Sequence, residues 1–157
     1  IALDPDYFWT WYLRGIANFR LARYGEAAAD HARALALDPE YHYSATWLYL
    51  AEARAGKDAR AGLKKSALQL NFNDWPGPVT MLFLGRTRTD IVLNRARDKD
   101  ALTDQGQRCE AHFCLGQHAL LENRRNAARE FFRAAADICP EGSIEYSNSK
   151  VELAELE

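Results

Sequence analysis

The most distinctive chemistry in this 157-residue chain belongs to its three cysteines, Cys109, Cys114 and Cys139. Cys109, His112, Cys114 and His118 read C-x2-H-x-C-x3-H, which has the residue types of a tetrahedral zinc site. On one continuous helix these four do not converge. Cys114 and His118, four apart, share a face, whereas His112 and Cys114, two apart, do not, and Cys109 points elsewhere. No metal ligand set is therefore expected. A second chemistry is a bond between Cys109 and Cys139, each 15 residues from Arg124, where a helical hairpin would turn. Antiparallel helices bring residues equidistant from their turn side by side, within reach of a disulfide. Two states are open to the pair. One is a disulfide formed in an oxidising compartment, worth roughly 3–4 kcal/mol in the chain-entropy picture; the other is two reduced thiols packed as small core residues. Cys114 is left over, buried on the first helix of that hairpin.

Other chemistries lack a frame. The chain contains no G-x-S-x-G, no H-E-x-x-H and no phosphate-cradling glycine loop, and no two carboxylates stand at a recognisable catalytic spacing. The expectation is a non-enzyme with no catalytic residue, no cofactor and no small-molecule substrate. A net charge of -2 offers no electrostatic footprint for nucleic acid. Charged residues also interrupt every apolar run well before the ~20 residues a membrane span needs.

The elements that would carry a surface are helical hairpins. Trp11, Gly15, Tyr24, Ala27, Ala34 and Pro39 set one spacing, and Leu115-Gly116, Ala128, Phe132, Ala135 and Pro140 occupy the same slots again. Leu3-Asp4-Pro5-Asp6-Tyr7 returns as Leu37-Asp38-Pro39-Glu40-Tyr41, which puts the prolines 34 residues apart. The period and residue types resemble the tetratricopeptide (TPR) repeat. Their physical sense is close packing. Gly15 and Gly116 need bulk opposite, supplied by His31 in the first copy and Phe132 in the later one, while Pro39 lacks the N–H that would continue its helix.

The resulting expectation is an all-α fold: one TPR-like α-α superhelix over 1–157, a solenoid of antiparallel hairpins. It comprises a repeat at 8–41, a shortened hairpin at 42–72, a short helix pair at 78–97, a repeat at 109–142 and a capping helix at 143–156. The first helix is expected over 6–22 with Asp6 as N-cap, and its partner over 24–37. Gly56 closes the first helix of the shortened hairpin, Lys65 stands where an aromatic would be expected, and Gly85 caps the first of the short helices. Trp75, in the Asn71–Pro78 turn, is expected to plug the end of the preceding hairpin. Ile1-Ala2-Leu3-Asp4-Pro5 reads as the last turn of an earlier repeat, so the chain is expected to be a fragment lacking upstream repeats. The first-helix face bearing Phe8, Trp11 and Phe19 would then be uncovered and favour a homodimer.

In stacked TPRs the first helices line a concave groove. The groove-facing positions are Trp9, Tyr12, Ile16, Phe19 and Arg20 in the first repeat and Glu110, Phe113, Gln117, Leu120 and Leu121 in the later one. This largely apolar lining suits an extended or helical peptide, so the partner expected is a protein or peptide. The Lys and Asn pattern that clamps chaperone C-termini is missing at these positions.

A narrower likeness rests on Trp47-Leu48-Tyr49-Leu50-Ala51, Trp75-Pro76-Gly77-Pro78-Val79 and Cys109-Glu110-Ala111-x-Phe113-x-Leu115-Gly116-Gln117. With Phe131-Phe132-Arg133 and Ile144-Glu145-Tyr146 it resembles the bacterial NlpI-type TPR lipoprotein family. The resemblance implies a dimeric adaptor in the periplasm or on the outer membrane, presenting peptidoglycan hydrolases to a tail-specific protease. The alternative is a cytoplasmic TPR module of a larger regulatory or assembly protein.

Overall fold

A computed structural model describes residues 6–157, and every regular element among them is helical. The expectations placed on Ile1 to Pro5 lie outside the described residues. The helices are α1 (Phe8–Arg20), α2 (Tyr24–Leu37), α3 (His42–Arg54), α4 (Ala59–Ser66), α5 (Gly77–Phe83), α6 (Thr89–Arg95), α7 (Ala101–Leu121), α8 (Arg125–Ile138) and α9 (Ile144–Leu156), with a 3-10 turn at Ala67–Gln69. One solenoid was expected over the whole length. By their internal packing the residues fall into two compact units, the first ending at Phe72 and the second running from Asn73 to Glu157. The division falls in the turn before Pro76-Gly77-Pro78, where two residues lack a backbone donor and no helix can run through.

In the first unit, α1 folds back on α2, α2 packs on α3, and α3 on α4. Phe19, Ala27, Ala34, Trp47, Leu50 and Leu63 are buried between them. The α1–α2 approach is as close as its glycine requires: a Cβ on Gly15 would stand 2.7 Å from His31 Nε2. In the second unit, α7 packs on α8 and α9 covers both. There a Cβ on Gly116 would stand 2.5 Å from Phe132 Cε1.

The two hairpins agree in detail. Gly15 and Gly116, His31 and Phe132, Ala27 and Ala128, and Ala34 and Ala135 are each offset by 101 positions, and α2 and α8 are both 14 residues long. Their turns match as well. Ala22 (φ 56°) and Asn123 (φ 59°) are left-handed, and the following N–H groups of Arg23 and Arg124 donate to the Asn18 and Ala119 carbonyls, a Schellman closure. Gly56 (φ 77°) and Gly85 (φ 72°) close α3 and α5 in the same way.

Three expectations are corrected. Asp6 does not cap α1, which follows Tyr7 without a side-chain cap; its carboxylate instead pairs with Arg33 at 3.2 Å. Trp75 bonds forward along the chain: its indole N–H donates to Glu110 Oε2 on α7 at 2.6 Å, a charge-assisted bond within the second unit. The uncovered face of α1 is also a different one. Phe19 is buried against Trp47 and Tyr24, Phe8 packs on Tyr41, and Trp11 lies under the Arg14 guanidinium. The exposed apolar residues here are Tyr7, Trp9, Leu13 and Leu21.

Candidate functional site

Cys109 and Cys139 are disulfide-bonded, with an S–S distance of 2.07 Å and a Cα–Cα distance of 4.8 Å. The bond ties α7, well inside its length, to the residue that ends α8. Beside it the Gln105 side-chain amide donates to the Ile138 carbonyl at 2.9 Å. Of the other residues in the zinc-like pattern, His112 is half-buried against Phe131, and His118 faces Phe83 and Glu122. Cys114 is buried as a free thiol, its pKa pushed well up by burial and then by Glu110 and Glu145. Thus α7 is one continuous helix and spreads the four residues around its faces.

Most of the anticipated groove residues are in the core. Tyr12, Ile16, Phe19, Phe113 and Gln117 are buried, Leu120 and Leu121 are half-buried, and only Trp9 and Arg20 are exposed. Tyr12 meets Phe8, Tyr41 and His31; Phe113 packs on Phe132. Gln117 donates to Glu152 Oε1 of α9 at 2.8 Å, so α9 occupies its face of α7. These buried side chains pack against or bond to neighbouring helices.

One buried polar cluster and one half-buried carboxyl pair were not foreseen. In the first unit, Asp30 accepts from Arg14 (Nε, 2.9 Å) and from Asn18 Nδ2 (3.0 Å), which fixes α1 to α2. Next to it His31 is fully buried, edge-on to Tyr12 and stacked on Trp47 at 6.0 Å. Neither of its ring nitrogens has a hydrogen-bond partner among the described residues. Burial pushes its pKa down to about 4 even though Asp30 pulls the other way, so it is a neutral ring at pH 7. In the second unit, burial raises the Glu145 carboxyl to about 7, and Glu110 adds to the rise. Sequence patterning marks α9 only weakly, because it buries Asn148, Ser149 and Glu152 toward its neighbours.

The first unit also carries an open groove of about 470 Å³. Ala32, Leu35, Ala36 and Pro39 line one side, Gly62, Lys65, Ser66, Leu68 and Gln69 the other, and Leu48 and Glu52 of α3 lie between. The signal that could have found it is the pairing of small residues four apart, Ala32 with Ala36 and Gly62 with Ser66. Among the described residues, no group of three or more His, Cys, Asp and Glu is arranged to hold a metal ion, and no helix is long and apolar enough to cross a membrane. No protein-family model matches the chain.

Proposed function

We propose that the chain is a non-catalytic scaffold of TPR type that binds a protein or peptide partner, and that it works in an oxidising compartment. The observation that carries the reading is the pair of matched hairpins. The small-against-aromatic packing, the left-handed turn and the helix length recur at one offset of 101, close to three periods of 34. Such hairpins leave apolar faces that neighbours or partners cover, which is how repeat scaffolds present extended binding surfaces.

The Cys109–Cys139 bond favours the exported form over the cytoplasmic module, since stable disulfides persist outside reducing compartments. An adaptor of the NlpI type, acting between cell-wall hydrolases and a periplasmic protease, is the specific role we propose within that class. The experiment is affinity capture by the folded chain from an envelope extract of its source, beside a Gly116→Leu variant that disrupts the second hairpin. A protein retained by the native chain and lost with the variant supports the scaffold. Equal retention by both chains, or no retained protein, refutes it.

A further inference from the structure

We infer that α1 is an acid-released latch on the first unit, lifted when the buried ring of His31 takes up a proton while α2, α3 and α4 stay packed. The inference is independent of partner binding and stands on how the ring is held. His31 is fully buried on α2. Gly15 of α1 lies so close over it that a Cβ there would stand 2.7 Å from Nε2. Tyr12 of α1 meets the ring edge-on at 5.6 Å, and Trp47 of α3 stacks on it at 6.0 Å. Both ring nitrogens lack a hydrogen-bond partner among the described residues. The neutral ring therefore leaves one N–H unsatisfied, and a protonated ring would leave two, together with a charge that requires water. With the α1 backbone this close to Nε2, no water fits between them.

The charged groups around the ring give it no acceptor. Asp30, its neighbour on α2, accepts from Arg14 Nε at 2.9 Å and from Asn18 Nδ2 at 3.0 Å rather than from the ring. On α1 the charged group on this side is Arg14, held by that carboxylate. On α3 it is Arg54, which lies over Phe19 and donates to Tyr24 Oη at 2.6 Å. His42 and Glu52, also on α3, meet Phe72 and the Gly62 position instead. Hydration must then come from moving a helix, and the packing decides which. α3 is held by α2 on one side and α4 on the other, whereas α1 packs chiefly on α2 and less on α3, with Trp9, Leu13 and Arg20 exposed on its outer side. Lifting α1 uncovers the ring; lifting α3 would break its packing on α4 as well. The Arg14–Asp30 bond, one residue along, holds α1 down while the ring is neutral. The ring's folded pKa of about 4, against 6.5 when exposed, sets the window: release grows as the pH falls below 6.5 and levels off below 4.

The test is hydrogen exchange of the whole chain, read residue by residue across a pH series at low urea concentrations and corrected for intrinsic rates. Amides of α1 should exchange about 20-fold faster at pH 5 than at pH 7, since the opened form takes up the proton with the ordinary histidine pKa. At pH 5 they should also exchange at least about tenfold faster than those of Leu50 and Ala51 in α3, with less than half the urea dependence of whole-unit unfolding, because lifting one helix exposes little surface. In His31→Phe, which puts in this slot the aromatic that Phe132 supplies in the second hairpin, the α1 acceleration should vanish. His31→Leu repeats that arm with a smaller side chain if circular dichroism shows the phenylalanine variant unfolded. Wild type alone also decides, since its acceleration must begin below pH 6.5 and level off below pH 4. One common rate and urea dependence for α1 and α3 would make the event unfolding of the whole unit and overturn the latch. An α1 rate that ignores pH, or one that accelerates equally in the folded variant, overturns it as well.

Discussion

Burial of His31 should make the first unit less stable in acid, and replacing it with phenylalanine isolates that contribution. The ring is fully buried between Gly15, Tyr12 and Trp47, with both nitrogens unbonded, and its folded pKa is about 4 against 6.5 when exposed. A depressed histidine contributes its full stability above the unfolded value and loses it as the pH falls toward the folded one. Between pH 8 and pH 5 the loss is about 2 kcal/mol, rising to about 3 kcal/mol below pH 4. Phe132 occupies the matching slot in the second hairpin, so His31→Phe keeps an aromatic there without a titrating group. At pH 8 the variant balances relief of two unbonded nitrogens against a larger ring over Gly15, terms of about 1–3 kcal/mol each, so its absolute stability is a weak test. The pH dependence is the sharp one. Urea denaturation followed by tryptophan fluorescence suits it, since Trp9, Trp11 and Trp47, three of the four tryptophans, belong to the first unit. Wild type should lose about 2 kcal/mol more than His31→Phe between pH 8 and pH 5, a midpoint difference of roughly 1 M urea. His42, also lowered by burial, is present in both proteins and cancels in the comparison. Equal pH dependence in the two proteins would mean that His31 is solvated or bonded, and would refute its place in the core.

The second unit should respond to pH in the opposite sense. Glu145 is raised from 4.5 to about 7, so its contribution is complete below pH 4.5 and is lost as the pH rises through 7; Glu145→Gln should flatten that decline of up to about 3 kcal/mol, read by α9 hydrogen exchange corrected for intrinsic rates. Gly116→Ala puts a methyl carbon 2.5 Å from the Phe132 ring and should cost about 1–3 kcal/mol in thermal or urea unfolding, whereas Gly106→Ala, with open space around it, should be neutral or slightly stabilising. Reducing the Cys109–Cys139 bond, or making the double serine variant, should lower second-unit stability by roughly 3–4 kcal/mol for a separation of 30 residues, measured by urea titration with and without reductant.

Helix placement was legible where packing chemistry is local. The boundaries of α2 follow from Tyr24, the alanine run and Pro39, and α9 begins where Ser143 accepts from the Tyr146 N–H. The pairing of Gly15 with His31 and Gly116 with Phe132 was legible too, because a missing side chain on one helix requires bulk on its neighbour. The groove positions were less so. Tyr12, Phe113 and Gln117 have the types of either a lining or a core, and only the positions of Tyr41, Phe132 and Glu152 decide. Trp75 gave no directional cue, since its indole bonds to a carboxylate 35 residues further on. The boundary at Phe72–Asn73 falls within the Asn71–Pro78 turn, whose Pro and Gly content was legible as a break in helix.

The disulfide and the matched hairpins bear on one question, whether the chain holds a protein partner while the Cys109–Cys139 bond is formed. The most direct measurement is isothermal titration of the oxidised chain with the purified protein recovered by capture, repeated after reduction. Saturable binding at a fixed stoichiometry by the oxidised chain, weakened as reduction loosens the α7–α8 hairpin, is the result expected of an exported scaffold. Absence of saturable binding by any recovered protein once purified would contradict it.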